Sequence, residues 1–158
     1  MISLRKITLE NRRAIFNLEV SEEQRRFVAS NLSSMASCYV LATNGGHPLP
    51  FAIYADEQPV GFVMLTYGNT GYELPSIVDD SYCILRLMID KQYQNRGYGR
   101  EAMKEILEYI RTLPAGPARY CWIPYGTDNF AAKKLYESFG FRDNGEICDN
   151  EPITVLQL

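Results

Sequence analysis

Tyr82-Cys83-Ile84-Leu85-Arg86-Leu87-Met88-Ile89-Asp90 is followed by Gln94-Asn95-Arg96-Gly97-Tyr98-Gly99 and then by Met103, Ile106, Leu107, Ile110 and Leu113 at spacings of three and four. The reading of this stretch decides the fold. Its first part carries one charged residue before Asp90 and no two-residue alternation, which is how a strand buried on both faces reads. Asp90 ends the strand. The last part places its apolar residues on one helical face until Pro114 stops the helix. The helix therefore begins at or near the glycines, where free backbone N–H groups meet the positive end of the helix dipole. Glycine has no Cβ, so phosphates can approach such a backbone closely. The turn reads as an anion-binding device.

Working outward, Phe51 to Ala55 and Gln58 to Tyr67 are strand-like runs joined at Asp56-Glu57, hence a hairpin. Asn44-Gly45-Gly46-His47-Pro48 reads as a turn, and residues 30 to 50 show no clear period. Ile2 to Ile7 is a first strand. A helix opens at Thr8 to Glu10, with Ala14, Ile15, Phe16 and Leu18 facing inward and Arg12, Arg13, Asn17 and Glu19 outward. Ser21, with Gln24 three residues on, has the spacing of a capping box and predicts a second short helix. Gly68 to Ser81 is a loop. Downstream, Arg119 to Tyr125 is a strand and Asp128 to Phe139 a helix capped by Thr127 or Asp128, with Gly140 as its left-handed stop. Phe141 to Ile147 and Ile153 to Leu158 are final strands around the turn Asp149-Asn150-Glu151-Pro152. The order β-α-α-β-β-β-α-β-α-β-β predicts one α+β domain over residues 1–158. It has three layers, α/β/α, around a mixed, mostly antiparallel twisted sheet of about six to seven strands flanked by about four helices.

The 158 residues are 46% hydrophobic and 22% charged, the balance of a soluble globular protein. A net charge of −3 argues against nucleic acid as a partner and suits a cationic one. Cys38, Cys83, Cys121 and Cys148 form no C-x-x-C pair, and two of them sit in apolar runs, so reduced buried thiols and no metal are expected. The first residues do not read as a signal peptide and no apolar run approaches a membrane span, so a cytoplasmic protein without a membrane partner is expected. The single His47 belongs to a loop.

Three cofactor families use a glycine-rich turn between strand and helix. Gly97-Tyr98-Gly99-Arg100-Glu101-Ala102 fits the loose dinucleotide fingerprint G-x-G-x-x-A, but the following strand, Arg119 to Tyr125, ends in Gly126 rather than in the acid that a ribose requires. No Gly-Lys-Ser/Thr is present for a Walker loop. Gln94 to Gly99 instead resembles the Q/R-x-x-G-x-G/A turn of the GNAT superfamily of N-acetyltransferases. Asn129-Phe130-Ala131-Ala132-Lys133-Lys134-Leu135-Tyr136-Glu137-Ser138-Phe139-Gly140-Phe141 resembles the N-x-x-A-x-x-L-Y-x-x-x-G-F helix of the same superfamily. Two such matches in order are far more specific than one. The resemblance covers roughly residues 58 to 145, and within the superfamily it points to bacterial spermine/spermidine acetyltransferases.

The resemblance implies a fold, a co-substrate and roles. Acetyl-CoA would lie with its pyrophosphate on the backbone of Gln94, Asn95, Arg96, Gly97, Tyr98, Gly99 and Arg100, and with its pantetheine arm along Leu87, Met88 and Ile89 and beside Asn129 to Ala132 (Asn129, Phe130, Ala131, Ala132). Tyr136 would stand near the thioester sulfur as proton donor to the leaving thiolate. A backbone N–H of the central strand would stabilise the oxyanion. From periodicity alone Tyr136 belongs to an apolar stripe with Ala132, Leu135 and Phe139, and only the motif gives it a chemical role. The acceptor would be a small-molecule amine, a polyamine first, with amino acids, antibiotic amines and protein N-termini or lysines as alternatives. A CoA-binding regulatory module is the reading from a different class. A homodimer is compatible with all of these. One departure stands out: polyamine-type relatives place a carboxylate on the central strand where this chain has Leu85. The base is then Glu73, Asp79 or Asp80, a water chain, or absent because the amine arrives neutral.

Overall fold

The structure is a computed structural model describing residues 1–158. Seven strands form one sheet in the order β1-β2-β3-β4-β5-β7-β6. They are β1 (Ile2–Arg5), β2 (His47–Ala55), β3 (Gln58–Tyr67), β4 (Ser81–Ile89), β5 (Tyr120–Pro124), β6 (Arg142–Cys148) and β7 (Glu151–Gln157). The helices are α1 (Arg12–Asn17), α2 (Asn31–Thr43), α3 (Tyr98–Arg111) and α4 (Phe130–Ser138). Every strand pairing is antiparallel except β4 with β5. The expected mixed, mostly antiparallel three-layer fold is the one observed.

The strands carry two cores because side chains alternate across a sheet. On one face Ile53, Val63, Leu65, Tyr82 and Ile84 meet Met103, Ile106, Leu107 and Ile110 of α3, together with Tyr136 and Phe141. On the other, Ala52, Phe62, Met64, Cys83, Leu85 and Trp122 meet Ile15 of α1 and Cys38 and Leu41 of α2. Each large aliphatic side chain buried this way contributes on the order of 1.5–3 kcal/mol. The i, i+3, i+4 stripe of α3 thus docks that helix, and its N-terminus, at the end of β4.

Several expectations need correction. The capping box at Ser21 exists, but it opens a single 3₁₀ turn, Glu22–Gln24, rather than a helix. The second helix is α2, inside the stretch whose period could not be read. Ser30 caps it by accepting the Ser33 N–H (3.1 Å), and its buried side includes Asn31 and Ser34, which break the apolar stripe. α1 begins at Arg12, and Ala14 faces solvent while Ile15 is fully buried. β1 stops at Arg5. β2 starts at His47, before two prolines. β1 pairs only with Ala52 to Ala55, so the missing N–H groups of Pro48 and Pro50 lie on a stretch with an open edge. The cap of α4 is Asn129, whose Oδ1 accepts the Ala132 N–H (3.3 Å). Gly140 has the expected positive φ of 94°, and Asp149 and Asn150, at 49° and 64°, form the tight turn of the β6–β7 hairpin.

Candidate active site

Two irregularities of β4 make the site. Opposite Met64 and Leu65 the register slips so that Leu85 is an extra residue, a β-bulge. The bulge resets the alternation: Tyr82 and Ile84 face the α3 side before it, and Leu87 and Ile89 face that side after it. The parallel ladder to β5 covers only Ser81 to Cys83 against Tyr120 to Trp122, so beyond Cys83 the two strands part. Asp90 N–H donates to Val60 O (2.8 Å) across the β3 ladder. By the two-residue alternation of an antiparallel pair, the N–H and C=O groups of Leu87 and Ile89 then point the other way, into the parting.

A cleft of about 320 Å³ fills this parting. Ile84 to Ile89 line one wall and Ile123 to Gly126 the other; α4 closes one side with Asn129, Ala131, Ala132, Leu135 and Tyr136. The turn before α3 forms the floor through Tyr93, Gln94, Asn95, Gly97, Tyr98 and Gly99. Asp90, buried, fixes the start of that turn by accepting the Gln92 N–H (2.9 Å) and the Glu19 N–H (2.8 Å). Gln94 donates to Ile89 O (2.9 Å) and to Gln24 Oε1 (2.9 Å), joining strand end, turn and the 3₁₀ segment. Gly97 precedes α3 with φ of 83°. The N–H groups of Asn95, Arg96, Gly97, Tyr98 and Gly99 find no acceptor in the chain, so a row of donors at a helix start faces outward.

The sequence-predicted residues largely converge. Leu87, Met88, Ile89, Gln94, Asn95, Gly97, Tyr98, Gly99, Asn129, Ala131, Ala132 and Tyr136 all line the cleft. Arg96, Arg100 and Phe130 do not. Arg96 donates to Gln92 O (3.1 Å) on the surface, Arg100 donates to Ser138 Oγ (3.0 Å), and Phe130 is 68% exposed. Residues outside the predicted site set also line it, among them Val20, Gln24, Phe27 and Val28 from the segment after α1. That segment bridges the cleft: Gln24 reaches the turn, and Arg26 pairs with Asp128 (2.7 Å) beyond β5. The capping-box spacing of Ser21 and Gln24 marked this segment in the sequence.

Tyr136 is buried, and its hydroxyl has no hydrogen-bond partner in the chain although it lines the cleft. Burial, with smaller contributions from Cys83 and Glu151, pushes its phenol up to about 12. It is therefore a neutral donor at ordinary pH. Of the carboxylates considered as base, Asp79 is exposed and Asp80 is paired with Arg119 (2.5 Å); neither lines the cleft. Glu73 lines a second cavity, of about 130 Å³, which adjoins the cleft at Leu85, Arg86 and Pro124. No group of three or more His, Cys, Asp or Glu side chains stands close enough to hold a metal ion. All four cysteines are free and buried. No helix is long and apolar enough to cross a membrane.

The chain is similar in sequence and fold to known proteins. Residues 13–141 match the model of the acetyltransferase (GNAT) family. The chain is 29% identical over 162 aligned positions to the probable spermine N(1)-acetyltransferase of Bacillus subtilis subsp. natto strain BEST195, covering 99% of both chains. It is 28% identical, with the same coverage, to the spermine/spermidine N(1)-acetyltransferase of Bacillus subtilis strain 168. Among solved structures, aminoglycoside acetyltransferase AAC(6')-Ib in complex with coenzyme A superposes with a TM-score of 0.76 at 13% identity, over 99% of this chain and 95% of that one. Spermidine N-acetyltransferase from Vibrio cholerae in complex with CoA and spermine gives 0.72 at 17%, over 99% and 95%. With a family match over most of its length and a sheet split between β4 and β5 above a donor-lined helix start, the chain belongs to the acetyltransferase (GNAT) family.

Proposed function

We propose that this protein transfers the acetyl group of acetyl-CoA to a primary amine of a polyamine such as spermidine or spermine, by direct attack in a ternary complex. The observation that carries the acceptor is the end-to-end similarity to the two Bacillus subtilis proteins. The site supports the chemistry. The pyrophosphate is assigned to the unpaired N–H groups from Asn95 to Gly99, and the amide-rich pantetheine arm to the inward-pointing backbone of Leu87 and Ile89 with Asn129 opposite. Tyr136 is assigned the proton that the departing thiolate receives. Acidic side chains on the second cavity, Glu73, Asp149 and Glu151, suit a cationic acceptor. A cytoplasmic location belongs to the same reading, since free buried cysteines suit a reducing compartment.

Arg86 supports a second acceptor class. It lines both cavities and pairs with no carboxylate, bonding only Leu85 O (2.9 Å) and the Tyr72 hydroxyl (3.3 Å). An acceptor with an anionic group beside its amine, such as an amino acid, would satisfy it. Thiol release from acetyl-CoA across spermine, spermidine, diamines, amino acids and peptides separates the two. Saturable release with spermine and spermidine is expected; release confined to amino acids or peptides would refute the polyamine assignment while leaving acetyl transfer intact.

A further inference from the structure

Leu85 stands where the resemblance implies a carboxylate, and none of Glu73, Asp79 and Asp80 lines the cleft itself. The second cavity holds carboxylates beside the cleft. It opens where β4 and β5 part and is walled by the loop carrying Thr70 to Glu73, by Arg86 and by the β6–β7 turn. That turn is fixed in place: Glu73 N–H donates to Asp149 (2.9 Å) while Asp149 N–H donates to Glu73 (2.8 Å), and Glu146 accepts from Ser76 N–H (2.8 Å) and its hydroxyl (3.0 Å). Tyr125 N–H donates to Pro152 O (3.2 Å), which brings the start of β7 to the end of β5. Glu151 stands there.

We propose that Glu151 takes the proton that the acceptor amine must lose before it attacks, an assignment that rests on the amine-acetyltransferase reading above. Three carboxylates line the cavity, and two of them, Glu73 and Asp149, each accept the other's backbone N–H in the lock. Glu151 has both oxygens free of hydrogen bonds and ion pairs within the chain, and its backbone is held in a paired strand. Trp122, 1% exposed, lines the same cavity, and its buried indole N–H has no acceptor in the chain. The charged and titratable groups around Glu151 are Arg86 from β4, Asp149 and Cys148 from the hairpin, Glu73 and Tyr72 from the loop, and Tyr136 from α4. Burial raises the Glu151 carboxyl above its ordinary value, Arg86 opposes this and Asp149 adds to it, so the group binds a proton more readily than a solvated glutamate.

The step balances as follows. The ammonium of the acceptor gives one proton to the Glu151 carboxylate, and the freed lone pair forms the C–N bond at the thioester carbonyl. The C–S bond then breaks with its electron pair on sulfur, which takes the Tyr136 proton. Tyr136 recovers a proton from the newly bonded nitrogen, leaving a neutral amide, and Glu151 releases its own proton to water.

Glu151→Gln keeps the shape and removes the base. General-base assistance is typically worth about 10²–10⁴-fold. The variant is expected to lose kcat in that range near neutral pH, with acetyl-CoA affinity by calorimetry and melting temperature unchanged. Its rate should then climb tenfold per pH unit towards the pKa of the free amine, about 10. An acceptor whose amine is already neutral at pH 7 should be acetylated by wild type and variant alike. A variant with wild-type kcat and pH profile overturns this assignment alone. Wild-type protein that binds acetyl-CoA but releases no thiol with any amine overturns the acetyltransferase reading and this assignment with it.

Discussion

The hydroxyl of Tyr136 has no structural partner, whereas its ring packs against Phe141 at a centroid distance of 6.2 Å. Replacement by phenylalanine therefore separates chemistry from packing. If the hydroxyl donates as the C–S bond breaks, Tyr136→Phe lowers kcat by about 10²–10⁴-fold while acetyl-CoA binding, followed by calorimetry, stays nearly intact. A variant with wild-type kcat would return Tyr136 to the core. Single residues also mark the limit of what the sequence disclosed. The role proposed for Tyr136 was suggested only by the spacing of its motif, because the Ala132-Leu135-Tyr136-Phe139 stripe has the period of any helix packed on a sheet. The role proposed for Glu151 had no signal in the sequence. That residue stands in Asp149-Asn150-Glu151-Pro152, which has the composition of a solvated turn, and becomes half-buried only when the hairpin closes on a loop some seventy residues away.

At the scale of elements, the run from β4 through α3 was legible because every signal in it is local, an apolar strand, two glycines and an apolar stripe. Only its end differs from the expectation, since α3 stops at Arg111 and Leu113, at φ 53°, lies outside it and 41% exposed. Helix α2 was not legible, since Asn31 and Ser34 occupy buried positions while Leu32, Tyr39 and Val40 face solvent, so no sequence window showed an apolar side. The bulge at Leu85 left no trace either, because a strand without two-residue alternation has none for an inserted residue to disturb. The two glycines of the turn differ in a testable way. Gly97, at positive φ, is strained by any side chain. Gly99 is an ordinary helical residue whose added Cβ would sit 3.9 Å from Leu135 Cδ2 and 4.0 Å from Ile89 Cγ1, normal contact distances. Gly99→Ala should leave the fold intact or stabilise it by up to about 1 kcal/mol. Its methyl group would stand among the donors assigned to phosphate. Loss of one charge-assisted hydrogen bond costs roughly 1.5–3 kcal/mol, so acetyl-CoA affinity by calorimetry should fall about tenfold to hundredfold without a drop in melting temperature. An unchanged affinity would move the pyrophosphate away from this turn.

For the molecule as a whole, alkaline stability follows from two tyrosines. Burial holds Tyr136 up to about 12. Tyr125 is also pushed up to about 12, by burial first and then by its hydrogen bond to Asp143 (2.8 Å). Both values lie above the ordinary 10.0, so folding favours the protonated phenols. Their contribution is complete below pH 10 and is lost as pH rises towards 12. The melting temperature should thus hold steady up to about pH 9.5 and then fall, with absorbance at 295 nm reporting tyrosinate formation as the chain unfolds. Full ionisation of all tyrosines in the folded protein below pH 10.5 would contradict this, on the ordinary value of about 10. The parting of β4 from β5 has a different consequence. A strand that ends its pairing early leaves the Leu87 backbone without a strand partner in the middle of the sheet, and Ile89 O paired only with the Gln94 side chain, so the polypeptide alone does not complete its own sheet. A guest that engages only the folded form adds about 2.7 kcal/mol at a hundred times its dissociation constant. The folded population, and with it the protein's resistance to proteolysis, is thereby coupled by mass action to the concentration of whatever molecule finishes the sheet.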